Sequence, residues 1–303
     1  MLCGCIDIGT NTTRVLVADA REGRLTEVLQ RRAFTRLGRG LTPGGAIPAA
    51  RIAENAGVVA EQVALAEQAG AQSIRTVATA CIRVAANREE FCRAMLEHGG
   101  VEVSVLDGEE EARLAFLGAT KTLEQPLEGR VAVVDVGGGS TEIAIGTVDG
   151  GVEWWRSFAF GSGFLADAYL GDDPPSPDQL DEVRFHAGQM LSGIDPPPVD
   201  VAVAVGGSAA SLRRLVGDVL GHESLERALG ELTRGPAVDV AARFALDPQR
   251  VRLMPAGLLA LEATGRVLGR PLHIARGGLR EGVLLDLAQG EKPGGYRSPR
   301  TSR

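Results

Sequence analysis

The sequence of 303 residues has few aromatic residues, no excess of basic residues and no long apolar run. Aromatic residues make up 4% of the chain, which argues against a protein that binds nucleic acid by base stacking. The net charge of −7 argues against a general binder of nucleic acids or membrane surfaces. No apolar run approaches the length of a membrane span, and the N-terminus lacks the basic region of a signal peptide. We therefore expect a cytoplasmic protein with no nucleic-acid or membrane partner.

Side chains that bind zinc are also scarce. The 4 histidines are spread along the chain, and the 4 cysteines include one close pair, Cys3 and Cys5, on a predicted strand. No second cysteine pair or histidine cluster completes a zinc site. We interpret the cysteines as small buried residues in a reducing cytosol.

Two similar segments suggest an internal duplication. "CIDIGTNTTR" (5–14) and "VVDVGGGSTE" (133–142) each end an apolar strand at an Asp and continue into Gly and hydroxyl residues. Asp7 and Asp135 lie 128 residues apart (135 minus 7), and a predicted antiparallel meander accompanies each. The loop-like "EQPLEGR" marks the break between the halves. We predict an α/β fold with two duplicated domains, 1–125 and 126–290, and a disordered tail, 291–303.

Each Asp-x-Gly turn presents backbone N–H groups and side-chain hydroxyls, which together can bind phosphate oxygens. One such turn is as well explained by an ordinary β-hairpin, whereas two in duplicated halves favour a phosphate clamp. An Asp repels phosphate, so it fits a divalent metal ion or the ion's water shell better. Glu142 could place a second carboxylate near Asp135. The candidate phosphate-binding residues are Asp7, Gly9, Thr10, Asn11, Thr12, Gly137, Gly138, Gly139, Ser140 and Thr141.

Five segments, in this order, carry a resemblance to a known family: "DIGTNTTR", "TVATACIRVAANREEF", "GEEEARLAFLG", "VVDVGGGSTEI" and "GGLREGVLLD". They resemble the exopolyphosphatase and guanosine pentaphosphate phosphatase family, in its short form, within the superfamily of acetate and sugar kinases, Hsc70 and actin. The resemblance runs from Cys5 to about Leu287. Its most specific part is Gly-x-Glu-Glu-Ala-Arg, which is particular to these phosphatases.

The resemblance implies two ribonuclease-H-like domains with an active-site cleft between them, Mg²⁺ (or Mn²⁺), and a glutamate that activates water. The matching glutamate is Glu111, with Glu110 as the near alternative. By themselves, these acids would be read as the solvated first turn of a helix, where the helix dipole favours them. Arg83 and Asn87 match a further segment of the family, in which an arginine would bind two oxygens of the transferred phosphate. Asp135 and Glu142 are the expected metal ligands.

Two further stretches are candidates for ligand contact. Gly206, Gly207 and Ser208 follow a strand and open a helix, which suits phosphate or nucleotide binding but is equally explained by packing. "QRRAFTRLGRG" is the best local site for the rest of a polyphosphate chain, with a solvated basic loop as the alternative. Its arginines are Arg31, Arg32, Arg36 and Arg39.

The predicted function is exopolyphosphatase activity, the removal of terminal orthophosphate from inorganic polyphosphate. The nearest alternative is a guanosine pentaphosphate 5′-phosphatase, which would use the same catalytic residues. A phosphotransferase of the sugar-kinase kind is disfavoured by "GEEEAR". A sensor that binds a nucleotide or alarmone without turnover is disfavoured by the carboxylates at 111, 135 and 142. A homodimer is left open.

Overall fold

The computed structural model describes residues 1–21, 23–42, 44–123 and 127–290. It contains two compact units: among the described residues, the first comprises those within 1–122 together with 279–290, and the second comprises those within 123–278. The predicted tail, 291–303, lies outside the described residues. Within the described ranges, none of the helices has the length and apolar character needed to cross a membrane.

The first unit begins with strands and helices that form one sheet and its covering layers. In chain order they are β1 (Leu2–Ile8), β2 (Thr12–Arg21), β3 (Arg24–Phe34), α1 (Ala49–Gln68), β4 (Ser73–Ala78), α2 (Ala80–Val84), α3 (Arg88–Gly99), β5 (Val103–Val105) and α4 (Gly108–Lys121). The sheet order is β3-β2-β1-β4-β5. The first three strands form the predicted antiparallel meander, and β4 and β5 run parallel to β1.

The second unit repeats this order with additional elements. They are β6 (Val131–Val136), β7 (Thr141–Thr147), β8 (Gly151–Phe158), α5 (Ser162–Tyr169), α6 (Pro177–Met190), β9 (Val201–Val205), α7 (Gly206–Val216), β10 (Val219–Leu220), α8 (His222–Leu232), α9 (Ala237–Phe244), α10 (Pro248–Val251), α11 (Met254–Leu268) and β11 (Leu272–Ile274). The sheet order is β10-β11-β9-β6-β7-β8, again with an antiparallel meander beside parallel strands. The predicted α/β fold with a duplicated domain is confirmed.

Helix α1 illustrates how the apolar pattern forms these layers. Ile52, Ala56 and Val59 follow one another at spacings of four and three residues, and all three are buried. This spacing places them on one face of the helix, against the sheet. The helix ends at Gln68, and Gly70 then has a φ of +87°, a conformation that glycine adopts without steric cost.

The last helix, α12 (Leu279–Ala288), packs in the first unit. The predicted division assigned it to the second domain, 126–290, by chain order. Its residues Leu279, Val283 and Leu284 complete an apolar cluster with β1 and α4. At Gly282 the helices approach so closely that a Cβ atom would overlap the backbone of Leu114. The packing partners of this apolar face, rather than chain order, explain the position of α12.

Candidate active site

The two Asp-x-Gly turns are closed by the same hydrogen bond. In the first unit, the Gly9 N–H donates to the Thr12 carbonyl at 2.9 Å, and in the second the Gly137 N–H donates to the Ser140 carbonyl at 3.0 Å. A Cβ atom on Gly9 or Gly137 would lie 3.1 or 3.2 Å from that carbonyl oxygen. Both turns therefore use a glycine for the close approach of backbone to backbone.

The carbonyl groups of the first turn are held by the loop that follows β3. The Thr10 carbonyl accepts from Gly38 N at 2.9 Å, and the Asn11 carbonyl accepts from Thr35 N at 3.2 Å and Arg36 N at 3.1 Å. In a trans peptide unit the next N–H points opposite to the carbonyl. The N–H of Asn11 is therefore directed away from this loop, as binding of a phosphate oxygen requires.

In the second turn, N–H groups at the N-terminus of α5 donate to the carbonyl groups, as the loop after β3 does in the first turn. The Gly137 carbonyl accepts from Ser162 N at 2.9 Å and from Ser162 Oγ at 3.1 Å. The Gly138 carbonyl accepts from Gly163 N and Phe164 N, both at 2.9 Å. By the same geometry, the two following N–H groups point away from α5. Successive backbone N–H groups directed this way can bind an anion.

The side chain of Asn11 has an unsatisfied donor. Its Nδ2 atom is buried and has no hydrogen-bond partner within the described part of the chain. Buried donors are nearly always paired, so an unpaired one calls for a specific explanation. An oxygen of a bound phosphate would satisfy it, and the phosphate-binding role of Asn11 stays a prediction.

The buried Glu111 forms an ion pair with the half-buried Arg83. The Glu111 side chain is 8% exposed, and Nη1 of Arg83 lies 2.7 Å from its Oε2. The same Nη1 donates to the Leu106 carbonyl at 2.9 Å. Asp107 caps α4 by accepting from Glu110 N at 2.8 Å, which fixes where the helix begins. The structure thus brings together two residues that the sequence predicted to act on the same phosphate.

Glu110 has different surroundings from Glu111. It accepts from Arg113 Nε at 2.8 Å and from Nη2 at 3.0 Å, a bidentate pair. Asp286 on α12 accepts from Arg113 and from Arg75, each at 2.6 Å. These contacts place Glu110 in the ion network that joins α4 to α12. Of the two candidate glutamates, the geometry therefore favours Glu111 for chemistry.

Cys81 links the first turn to Glu111. Burial raises the pKa of the Cys81 thiol to about 12, and the charge of Glu111 acts in the same direction. A hydrogen bond with Thr10 lowers this pKa. The thiol is thus near both the phosphate turn and the carboxylate, which puts the two predicted functions in one region of the first unit.

Asp7 lies between basic side chains. It is the cross-strand partner of Arg14, whose Nε also donates to Thr12 Oγ1 at 3.3 Å. Burial raises the pKa of Asp7, while the charges of Arg14 and Arg280 oppose that shift and Glu281 adds to it. The sequence had not singled out Arg14, although the hairpin register, which sets it opposite Asp7, was the available signal.

Asp135 and Glu142 form the corresponding pair in the second unit. They are directly opposed on β6 and β7, so both side chains project from the same face of the sheet. Glu142 is 2% exposed and accepts from Ser157 Oγ at 2.7 Å. Two carboxylates in this arrangement repel each other unless a proton or a cation lies nearby. Carboxylate oxygens are also the ligands that Mg²⁺ prefers, so these residues fit the predicted metal ion.

The start of α7 packs against this pair. Gly206 has a φ of +82°, and a Cβ atom there would overlap Oδ1 of Asp135. Ser208 is buried, and a Cβ atom on Gly257 of α11 would lie 2.7 Å from its Oγ. The Gly207 carbonyl accepts from Ser211 Oγ at 2.8 Å. These packing contacts account for Gly206 and Ser208 without a ligand, and their ligand-binding role stays a prediction.

Two other predicted side chains have protein partners. Thr141 Oγ1 donates to the Phe160 carbonyl at 2.8 Å. The amide of Asn87 accepts from Ile47 N at 2.8 Å and donates to the Ile47 carbonyl at 2.9 Å. Asn87 therefore anchors the segment before α1, and a contact of Asn87 with phosphate stays a prediction.

Comparisons with known proteins show the family to which the chain belongs. A family model for the Ppx/GppA phosphatase family matches residues 16–291. The chain is similar to exopolyphosphatase 1 of Mycobacterium tuberculosis, with 30% identity over 97% of this chain and 90% of that relative. It is also similar to a guanosine-5′-triphosphate,3′-diphosphate pyrophosphatase of Aeromonas hydrophila, with 26% identity over 94% of this chain and 59% of that relative. The solved structure of the Aquifex aeolicus member of the Ppx/GppA protein family has 28% identity and a TM-score of 0.78, and covers 96% of this chain and 99% of that one.

Proposed function

This chain belongs to the Ppx/GppA phosphatase family, a family of hydrolases, and we propose that it releases the terminal orthophosphate of inorganic polyphosphate. The observation that carries the proposal is the ion pair of Arg83 with the buried Glu111, in the region of the first phosphate turn. A phosphoryl transfer needs mainly positioning and charge neutralisation, and hydrolysis adds one group that accepts a proton from water. The pair provides a guanidinium and a carboxylate 2.7 Å apart for these two tasks.

In the proposed reaction, Glu111 holds the attacking water and accepts its proton. The water oxygen bonds to the terminal phosphorus while the bridging P–O bond breaks, and the shortened polyphosphate leaves with the bonding electrons. Arg83 neutralises charge on the equatorial oxygens of the transferred group. Within the first unit, the N–H groups of the glycine turn would bind oxygens of the same phosphate. A carboxylate as general base typically contributes about 10² to 10⁴-fold to a rate.

Mg²⁺, or Mn²⁺ in its place, is the proposed cofactor. Asp135 and Glu142 would hold it or its bound waters, because they offer adjacent carboxylates on one face of the second sheet. When bound, the ion supplies positive charge that offsets the negative charge of the phosphates. The repulsion between the two carboxylates would be relieved at the same time.

Guanosine pentaphosphate is the second candidate substrate. The relative from Aeromonas hydrophila, named as a guanosine-5′-triphosphate,3′-diphosphate pyrophosphatase, supports it. The same Glu111 and Arg83 would serve, because the terminal phosphoanhydride is chemically alike in both substrates. A sensor without turnover is the third candidate. The cytoplasmic location and the homodimer stay predictions.

The test is orthophosphate release by the purified protein with Mg²⁺, measured in parallel on tripolyphosphate, long-chain polyphosphate, guanosine pentaphosphate and ATP. Glu111→Gln is the informative variant, and we expect it to lower kcat roughly 10² to 10⁴-fold. Glu109→Gln is the matched control because Glu109 lies on the same helical turn and is exposed. Glu110→Gln tests the alternative glutamate. We expect it to retain turnover and to lower thermal stability through the α4–α12 network.

The outcomes separate the candidates. Release from polyphosphate that Glu111→Gln abolishes and Glu109→Gln preserves supports the proposal. Release mainly from guanosine pentaphosphate would make this alarmone the substrate of the same mechanism. Tight binding of one of these compounds without release from any would leave the sensor as the remaining function. Loss of turnover in Glu110→Gln but not in Glu111→Gln would reassign the base.

A further inference from the structure

The loop after β3 contains a backbone conformation that most residues avoid. Arg36 has a φ of +46°, in the left-handed region that favours glycine. Non-glycine residues persist there only when the surrounding structure fixes them, and such residues cluster at functional sites. Arg36 is exposed, so burial of its side chain does not explain the conformation.

The backbone of Arg36 is bound to the first phosphate turn. Its N–H and that of Thr35 both donate to the Asn11 carbonyl, at 3.1 and 3.2 Å. Gly38 donates to the Thr10 carbonyl at 2.9 Å, and a Cβ atom on Gly38 would overlap Thr10 Cγ2. The loop therefore lies directly on the turn, and Arg36 is held beside residues predicted to bind phosphate.

A buried polar network connects the loop to β2 and α1. Thr13 Oγ1 lies 3.2 Å from Thr35 Oγ1 and accepts from Asn55 Nδ2 at 2.7 Å. Gln62 Nε2 donates to the Thr13 carbonyl at 3.0 Å. These hydrogen bonds hold the groups they join, although Asn55 Oδ1 and Gln62 Oε1 are buried without a partner among the described residues. Here they join α1, the start of β2 and the residue before Arg36.

Arg31 and Arg32 of the basic stretch are placed differently. Arg31 donates to a carbonyl of its own strand at 2.8 Å, and the guanidinium of Arg32 lies 4.8 Å from the ring centroid of Phe34. Both belong to β3, whereas Arg36 belongs to the loop bound to the turn. Among the ion pairs between described residues, none involves Arg36. Its guanidinium is therefore available to an anionic ligand.

We infer that Arg36 binds the phosphoryl groups next to the terminal one and so sets the preference of the enzyme for a polyphosphate chain. The inference rests on the proposed function, because it assigns a part of the same substrate. Its chemical basis is the match between a guanidinium fork and phosphate oxygens. The loop fixes the backbone of Arg36 against the first turn before the substrate arrives, which reduces the ordering needed on binding.

The test uses Arg36→Gly and Arg36→Asn, because glycine and asparagine tolerate a positive φ and keep the loop conformation. Arg24→Asn is the matched control: it removes one exposed arginine at the far end of the β2–β3 hairpin. Steady-state kinetics are measured on long-chain polyphosphate at several ionic strengths. We expect about a tenfold rise in KM for both Arg36 variants, a small change in kcat, and a weaker dependence of KM on salt. The Arg24 variant should match the wild type.

Binding of tripolyphosphate to the Glu111→Gln protein, with and without Arg36→Gly, is measured by calorimetry. If the wild type hydrolyses no polyphosphate, the proposed function fails, and this binding comparison still decides the role of Arg36. An unchanged KM and salt dependence in both Arg36 variants, in an active enzyme, would overturn the inference alone. Equal tripolyphosphate affinity with and without Arg36 would overturn it in an inactive one. A fall in kcat and thermal stability without a change in KM would make the residue structural, which also overturns it.

Discussion

Nη1 of Arg83 lies 2.7 Å from Oε2 of Glu111, although the two residues come from separate helices, α2 and α4. Arg83 follows the end of β4, and Glu111 lies in the first turn of the helix after β5. β4 and β5 are parallel neighbours, so the segments that follow them leave the sheet at the same edge. The pair is therefore a product of the sheet topology.

Substitution of Arg83 separates its charge from its shape. Arg83→Lys keeps the positive charge but loses the planar fork, and we expect kcat to fall roughly tenfold to a hundredfold with native stability. Arg83→Met also leaves the buried Glu111 with one partner fewer, which should cost about 1–3 kcal/mol of unfolding free energy. Orthophosphate release and urea unfolding measure the two effects. Full turnover in Arg83→Met would remove Arg83 from the mechanism.

The strand pattern and the two Asp-x-Gly turns were predictable from the sequence, because strand alternation and turn residues are local signals. The choice between Glu110 and Glu111 was not. Both lie in the first turn of α4, and only the position of α12 shows that Glu110 pairs with Arg113 near Asp286. Asp286 and Glu110 are 176 residues apart (286 minus 110), and nothing local encodes that they share Arg113 as a partner.

The loop after β3 shows the same limit of prediction from sequence. Its basic composition was evident, and four arginines were equivalent candidates. The positive φ of Arg36 depends on hydrogen bonds to Asn11 and on the buried pair of Thr13 and Thr35. Those contacts require the folded hairpin, so the distinction between Arg36 and the strand residues Arg31 and Arg32 could come only from the structure.

We expect the ionised Asp7 carboxylate to lower the stability of the folded protein and to support its activity. Burial raises its pKa, so the ionised carboxylate that is present at neutral pH costs folding free energy, and this cost is absent below the ordinary pKa of 3.8. Asp7→Asn should therefore raise the midpoint of thermal unfolding at pH 7 and lower the rate of orthophosphate release. The gain in stability should shrink as the pH falls towards 3.8, where the native Asp7 carboxyl is also neutral. A gain independent of pH would show that burial of the charge is not its cause.

The carboxylates of the second unit predict a dependence on divalent ions. EDTA should abolish orthophosphate release, and Mg²⁺ should restore it. Asp135→Asn should raise the Mg²⁺ concentration needed for half-maximal rate, because an amide oxygen is a weaker ligand than a carboxylate. Thermal unfolding gives a second readout, since an ion that binds only the folded state raises the midpoint. Asp149→Asn is the control, as Asp149 lies in the turn between β7 and β8. Full activity in EDTA would exclude the proposed cofactor.

Gly206 provides a test of how closely α7 must approach Asp135. Gly206→Ala places a methyl group on Oδ1 of Asp135 and forces alanine into a φ of +82°. The left-handed conformation alone costs about 1–2 kcal/mol, and displacement of Asp135 should also lower the affinity for Mg²⁺. Gly230→Ala is the matched control, because Gly230 lies within α8 with no atom near its Cβ position, and there alanine should stabilise by about 0.5–1 kcal/mol. We expect Gly206→Ala to lower the unfolding free energy and Gly230→Ala to raise it, with turnover lost only in Gly206→Ala. This result would establish that Gly206 is needed to position the Asp135 carboxylate. Equal stability and Mg²⁺ affinity of Gly206→Ala and the wild type would mean that Asp135 can move without consequence, and would weaken its assignment as a metal ligand.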